Sequence, residues 1–275
     1  MERKFITYQH STFSYLTGGD GKKILLCLHG FGEDAETFSF LEQYLKDEFT
    51  LFAIDLPWHG QTKWQKTHTF PVKGMIELLA LIIPDFSNRS IHLLGYSMGG
   101  RVCLSLLDQI PAKISKAILL APDGLKVNSL YKLATQTWLG NGLFKYTMRY
   151  PQWFGWMVDI LKRFNWINPS VAKFVHYYID DEKMRNDLYR IWTTMRKFRP
   201  KLPHIQKNIA HHRIPVHLVF GSYDRVILSK YGYTFQKGIE DCVTVAVLPT
   251  GHQLLREKQA AFIISLLTSP PELRS

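Results

Sequence analysis

Cysteine is scarce in this chain. Cys27, Cys103 and Cys242 are odd in number, far apart and each embedded in an apolar segment. That pattern argues against a disulfide framework or a cysteine metal site and fits reduced core residues. Long apolar runs are missing as well, and none approaches the ~20 residues of a membrane span. The N-terminus, Met1-Glu2-Arg3-Lys4-Phe5-Ile6-Thr7, has basic residues but no apolar stretch after them and no small-residue cleavage site. It therefore does not read as a signal peptide, and a cytoplasmic protein without stable membrane insertion is expected. No internal repeat and no low-complexity tract is present, so neither a solenoid nor a disordered linker underlies the fold.

Acidic residues are short in one place only. Residues 124–213 hold 16 Lys or Arg against 5 Asp or Glu, while the rest of the chain holds 18 of each, so the whole net charge of +11 originates there. The same segment carries Trp138, Trp153, Trp156, Trp166 and Trp192, five of the seven tryptophans. A basic surface attracts an anionic substrate, an acidic membrane surface or nucleic acid, or it is a solvated helical face with no partner. Basic residues among helically spaced aromatics fit a segment packing on its own core better than nucleic-acid binding, so no nucleic-acid partner is expected.

The 275 residues, 46% of them hydrophobic, suffice for one large α/β domain with an insertion. Up to residue 124, strand and helix patterns alternate. A hairpin over Lys4–Gln9 and Thr12–Leu16 is followed by an apolar run at Ile24–Leu28, a helix over Ala35–Lys46 and a strand at Thr50–Asp55. A helix over Val72–Ile83, a strand from Ile91 and another at Ala117–Ala121 complete this part. From Leu125 to His212 the strand signal disappears, and Pro151–Phe164, Pro169–Ile179 and Asp181–Phe198 show helical spacing. Asn168-Pro169 and Asp180-Asp181-Glu182 mark helix starts. Strands resume at Val216–Phe220 and Val243–Leu248, with helices at Lys230–Lys237 and Leu254–Leu267. The expected architecture is an eight-stranded, mostly parallel sheet with helices on both faces. Residues 1–124 and 213–275 form its core domain, and 125–212 an all-helical cap inserted after the sixth strand. Ligands collect at the C-terminal ends of such strands.

Those ends are where the reactive residues stand. Gly95-Tyr96-Ser97-Met98-Gly99 lies between a strand and a helix and reads as a G-x-S-x-G nucleophile elbow, in which glycines allow a tight turn that exposes Ser97. A serine hydroxyl needs a base and donors for the oxyanion it creates. Asp224 follows the seventh strand and His252 the eighth, in the order Ser, Asp, His that this scaffold favours. Asp123, after the sixth strand, is an alternative acid. The backbone N–H groups of Met98, opening the elbow helix, and of Phe31, in His29-Gly30-Phe31-Gly32 after the third strand, are the candidate oxyanion donors. His29 reads as a structural hydrogen-bonding residue. Tyr96 and Arg101, on either side of the elbow, are candidates for substrate contact.

Together, Leu28-His29-Gly30-Phe31-Gly32, Asp55-Leu56-Pro57-Trp58-His59-Gly60, Gly95-Tyr96-Ser97-Met98-Gly99-Gly100, Asp224 and Gly251-His252 resemble the α/β-hydrolase superfamily, in the subgroup with a helical cap. The resemblance covers residues 20–124 and 214–267. In that group the second motif usually has glycine where this chain has Trp58. The stretch through Arg101 also resembles the menaquinone-pathway synthase that eliminates pyruvate, in which the matching arginine holds a substrate carboxylate. No cap arginine aligns with that enzyme. The resemblance implies a serine hydrolase acting on a small or medium ester or related acyl compound, anionic or neutral, without cofactor or metal. A pyruvate-eliminating lyase and a non-catalytic binding or membrane-associated protein are the alternatives, and oligomeric state is not legible.

Overall fold

The computed structural model of the chain describes residues 1–65, 69–126, 129–164, 166–167, 175–176 and 178–269. The expected helix over Pro169–Ile179, with Asn168-Pro169 at its start, lies largely outside these residues. The strands are β1 (Glu2–Tyr8), β2 (Ser11–Gly18), β3 (Lys23–Leu28), β4 (Phe49–Ile54), β5 (Ile91–Tyr96), β6 (Ile114–Leu120), β7 (Val216–Gly221) and β8 (Val243–Leu248). The helices are α1 (Glu42–Leu45), α2 (Val72–Ile82), α3 (Met98–Gln109), α4 (Ser129–Gln136), α5 (Trp138–Arg149), α6 (Gln152–Arg163), α7 (Glu182–Thr194), α8 (Leu202–His212), α9 (Lys230–Gln236) and α10 (Ala260–Thr268).

The strands form one eight-stranded sheet in the order β1-β2-β4-β3-β5-β6-β7-β8. Strand β2 runs antiparallel to both neighbours, and every other pairing from β4 to β8 is parallel. The central strands are covered on both faces, which explains their unbroken apolar sequence. Leu25, Cys27, Leu94, Tyr96, Ile118 and Leu120 point to one face and pack with Phe38, Leu41, Ile263 and Leu267. On the other face Gly95 lies under α3, where an added Cβ would come within 2.6 Å of Cys103 Sγ.

Two local expectations are revised. The helix expected over Ala35–Lys46 is a 3-10 helix, Ala35–Leu41, that runs into the short α1. The closing helix begins at Ala260, after a 3-10 turn at Glu257–Gln259, and not at Leu254. Leu254 and Leu255 are both buried, 1% and 2% exposed, and adjacent residues both turned inward suit a tight bend better than one face of a helix.

The chain divides into two compact units, Met1–Lys126 with Phe198–Ser275, and Val127–Lys197. The first therefore includes α8, which sequence reading grouped with the insertion. Asn208 Nδ2 donates to the carbonyls of Leu107 and Asp108 at 3.1 and 3.2 Å, securing α8 to the end of α3. The second unit is helical. Phe144 of α5 packs against Tyr189 and Trp192 of α7, Thr137 caps α5 through Gly140 N–H at 3.0 Å, and Asp181 caps α7 through Met184 N–H at 2.8 Å.

Candidate active site

Strand β5 ends at Tyr96 and α3 begins at Met98, so Ser97 alone reverses the chain. Its φ of 49° and ψ of −111° place an L-residue in a region that costs of order 1–3 kcal/mol and persists only where its surroundings hold it there. The end of β6 does this. Ser97 N–H donates to Leu120 O at 2.9 Å, and Ser97 O accepts from Asp123 N–H at 2.9 Å. Ser97 stays partly exposed while Tyr96, Met98, Gly99 and Gly100 around it are buried. Gly99 brings α3 flush against the end of β3, since a Cβ there would stand 1.9 Å from Leu28 O and 2.8 Å from His29 O.

Asp224 follows β7 and is buried. Its Oδ1 accepts from the amides of Val226 and Ile227 at 2.7 and 3.0 Å, and its Oδ2 lies 2.8 Å from His252 Nδ1. Burial works against its charge, but the hydrogen bonds from His252, Ile227 and Val226 prevail and hold the carboxyl below its ordinary value. His252 follows β8, and its Nε2 lies 3.1 Å from Ser97 Oγ. A carboxylate at Nδ1 fixes the ring proton there and leaves Nε2 to accept from the serine hydroxyl. Ser97, His252 and Asp224 thus form one continuous hydrogen-bonded chain.

The remaining candidates fall around this chain. Tyr96 sits behind it, with its hydroxyl donating to His252 O at 3.2 Å, its ring 5.4 Å from the His252 ring and its edge against Gly30. Phe31 follows β3, which pairs directly with β5 through Leu28 and Gly95, and its ring meets His59 edge-on at 6.1 Å. Arg101 is ion-paired with Asp123, so the alternative acid faces the guanidinium, while the Nδ1 partner of His252 is Asp224. Arg185 and Arg196 spend donors on backbone carbonyls inside the helical unit, Met148 O at 2.9 Å and Thr135 O at 3.3 Å respectively. Among the described residues no group of three or more His, Cys, Asp or Glu could hold a metal ion.

The loops beneath the site are braced by buried polar groups. His29 accepts from Leu56 N–H on Nε2 at 3.0 Å and donates from Nδ1 to Gly30 O at 2.7 Å. Burial pushes its pKa down to about 4 despite the opposing pull of Gly30 O and Asp55. Asp55, fully buried, accepts from Ala35 N–H, Gln61 N–H and Arg3 Nη1 at 2.7, 3.0 and 2.7 Å. Trp58 has φ 69°, the left-handed conformation that glycine would take without cost. Sequence reasoning missed Glu33. Its Oε2 is buried without a hydrogen-bond partner beside Gly30, and burial raises its pKa against the opposing effects of the Gly30 backbone, Arg256 and His252. Only its place in the glycine-rich turn hinted at this.

The sequence model that describes the α/β hydrolase fold matches residues 23–176, more than half of the chain. The chain belongs to the α/β-hydrolase fold family. This α/β hydrolase is 25% identical over 250 residues to the uncharacterized hydrolase YugF of Bacillus subtilis, covering 86% of each chain. It is 24% identical to monoacylglycerol lipase abhd6-A of Xenopus laevis, covering 98% of this chain and 83% of the relative. Among solved structures it superposes on a thermophilic esterase from Thermogutta terrifontis with a TM-score of 0.67 at 17% identity, over 97% of this chain and 98% of that one. The enol-lactonase from Burkholderia xenovorans LB400 gives 0.66 at 14% identity, over 97% and 100%. The two solved structures share the fold, and the enzyme class is hydrolase.

Proposed function

We propose that this α/β hydrolase cleaves carboxylic esters through an acyl-enzyme. The observation that carries the reading is the unbroken chain from Asp224 through His252 to Ser97, with the serine partly exposed on a strained turn. Ser97 Oγ attacks the ester carbonyl while His252 Nε2 takes its proton. Asp224 keeps the imidazole in the required tautomer and stabilises the imidazolium. The backbone N–H groups of Met98 and Phe31 receive the oxyanion. His252 returns the proton to the departing alcohol, and water then repeats the sequence to release the acid. Tyr96 is a positioning residue in this scheme, holding the His252 backbone from behind.

The names of the relatives support an ester substrate, since a monoacylglycerol lipase and an esterase both open ester bonds. The ion pair between Arg101 and Asp123 favours the hydrolase over the pyruvate-eliminating lyase, which would need that guanidinium for a substrate carboxylate. The test is hydrolysis of p-nitrophenyl esters and labelling by a fluorophosphonate. Ser97→Ala should lose both while melting as the wild type does. Asp224→Asn should slow the chemical step about 10⁴-fold, and Asp123→Asn should act far more weakly. Labelling of the Ser97→Ala protein would refute the nucleophile, and a reversed order of the two aspartates would move the acid to the end of β6.

A further inference from the structure

Helices α5 and α6 each have one side that packs and one that does not. On α5 the packed side carries Phe144, against Tyr189 and Trp192 at centroid distances of 5.3 and 5.7 Å, with Thr147 and Met148 buried. The opposite side carries Trp138, Leu139, Leu143 and Tyr146, which share a face at 3.6 residues per turn. All four are exposed, Trp138 to 87%. On α6, Val158 is buried, while Trp153 and Trp156, and Phe164 just beyond its end, face solvent.

Cations are interleaved with these rings. Lys145 and Arg149 lie on the same side of α5 as Trp138, and Lys162 and Arg163 close α6; all four are exposed. Helix α5 contains no acidic residue. The one acid of α6, Asp159, is 3.2 Å from His176 Nε2. So much exposed aromatic surface is unfavourable in water unless something covers it. The charge pattern says what kind of surface that is. Indole and phenol rings settle at the headgroup level of a bilayer, leucines reach the acyl boundary, and Lys and Arg meet anionic headgroups. No described helix is long and apolar enough to cross a membrane, and α5 and α6 have 12 residues each, which suits lying on the interface.

We infer that the exposed aromatic and cationic faces of α5 and α6 dock this hydrolase onto an anionic lipid bilayer. The test is flotation of the full chain with phosphatidylcholine vesicles that contain or lack phosphatidylglycerol. The wild type should float with the anionic vesicles, with a blue shift of tryptophan emission, and much less with the neutral ones. Lys145→Glu with Arg149→Glu should lower the partition coefficient roughly tenfold or more, since each basic residue near such a surface contributes about 1 kcal/mol. Trp138→Ala with Trp156→Ala should lower it several-fold while keeping the preference for anionic vesicles. Raising the salt should weaken binding as the Debye length falls from about 30 Å to about 8 Å. Hydrolysis of a soluble ester by both variants reports that they are folded, and Ser97→Ala should float like the wild type, which separates docking from the proposed chemistry. Absence of flotation at low salt would overturn the inference, as would variants that partition like the wild type. It would also fall if light scattering showed a dimer that these substitutions dissociate, because a second copy would then cover the face.

Discussion

Gly99→Ala probes the packing on which the candidate site depends. A Cβ at position 99 would stand 1.9 Å from Leu28 O, where ordinary contact begins at 3.4 Å. The start of α3 and the end of β3 must therefore separate by about 3.4 − 1.9 = 1.5 Å, and neither side is a flexible side chain that could swing away. Overpacking of this kind costs about 1–3 kcal/mol, and with two rigid backbones in contact the upper end is expected. At about 2–4 °C per kcal/mol for a chain of this size, the Tm should fall by roughly 6–12 °C. The displacement falls between the Met98 amide and the His29–Phe31 loop, the two sides of the proposed oxyanion site. Misplacement by about 1 Å costs on the order of 10²-fold in rate, so kcat should drop at least that far while KM changes little. Gly142→Ala is the control, because nothing lies within 4 Å of its Cβ position. In the interior of α5 it should stabilise by about 0.5–1 kcal/mol and leave kcat unchanged. Ester kinetics and scanning calorimetry on both variants decide the matter. A Gly99→Ala enzyme with wild-type kcat and a Tm within a degree would refute the argument, and equal damage from Gly142→Ala would show that the contact at position 99 is not what matters.

Burial lowers the pKa of His29, His92 and His217 from 6.5 to about 4, so the folded state binds fewer protons than the unfolded chain between these values. Their contribution to stability should be complete above about pH 6.5 and decline as pH falls toward 4. Fully buried His29 alone accounts for about 2 kcal/mol by pH 5, with smaller shares from the two partly exposed rings. Asp224, whose pKa is depressed below 3.8, loses its contribution only under that window, so urea titrations at pH 5 and 7 on the Glu33→Gln protein, which removes the opposing carboxyl described next, read the buried histidines, and equal stability at both would refute their burial as neutral rings. Glu33 behaves oppositely: burial raises its pKa above 4.5, so the stability linked to its neutral form is present at acidic pH and lost as pH rises through the raised value. Glu33→Gln should therefore raise the Tm at pH 8 and change it little at pH 4; a drop at pH 8 would mean that the carboxylate is held by favourable contacts.

Much of the fold was legible because its signals are local. Apolar runs such as Ile24–Leu28 and Val216–Phe220 mark buried parallel strands whatever surrounds them, and a Gly-x-Ser-x-Gly turn between strand and helix carries its own geometry. The chain order of Ser97, Asp224 and His252, each just past a strand, was equally open to reading. Other features depend on what packs against a segment. The periodicity of Leu202–His212 says helix but not which unit it joins; Asn208 bonding to the end of α3 decides that. Leu254 and Leu255 continue a helical pattern in sequence, yet both sink into the core and bend the chain. Arg101 could have pointed at a substrate until Asp123 supplied its partner, and nothing in the sequence buries Glu33 or leaves the aromatic face of α5 bare. The sequence by itself determined which residues stand at the ends of which strands, because strand and turn propensities act over a few neighbours. Only the tertiary structure decided that His252 Nε2 lies 3.1 Å from a serine 155 positions away, because that distance is set by strand order, sheet register and the close approach of α3 to β3.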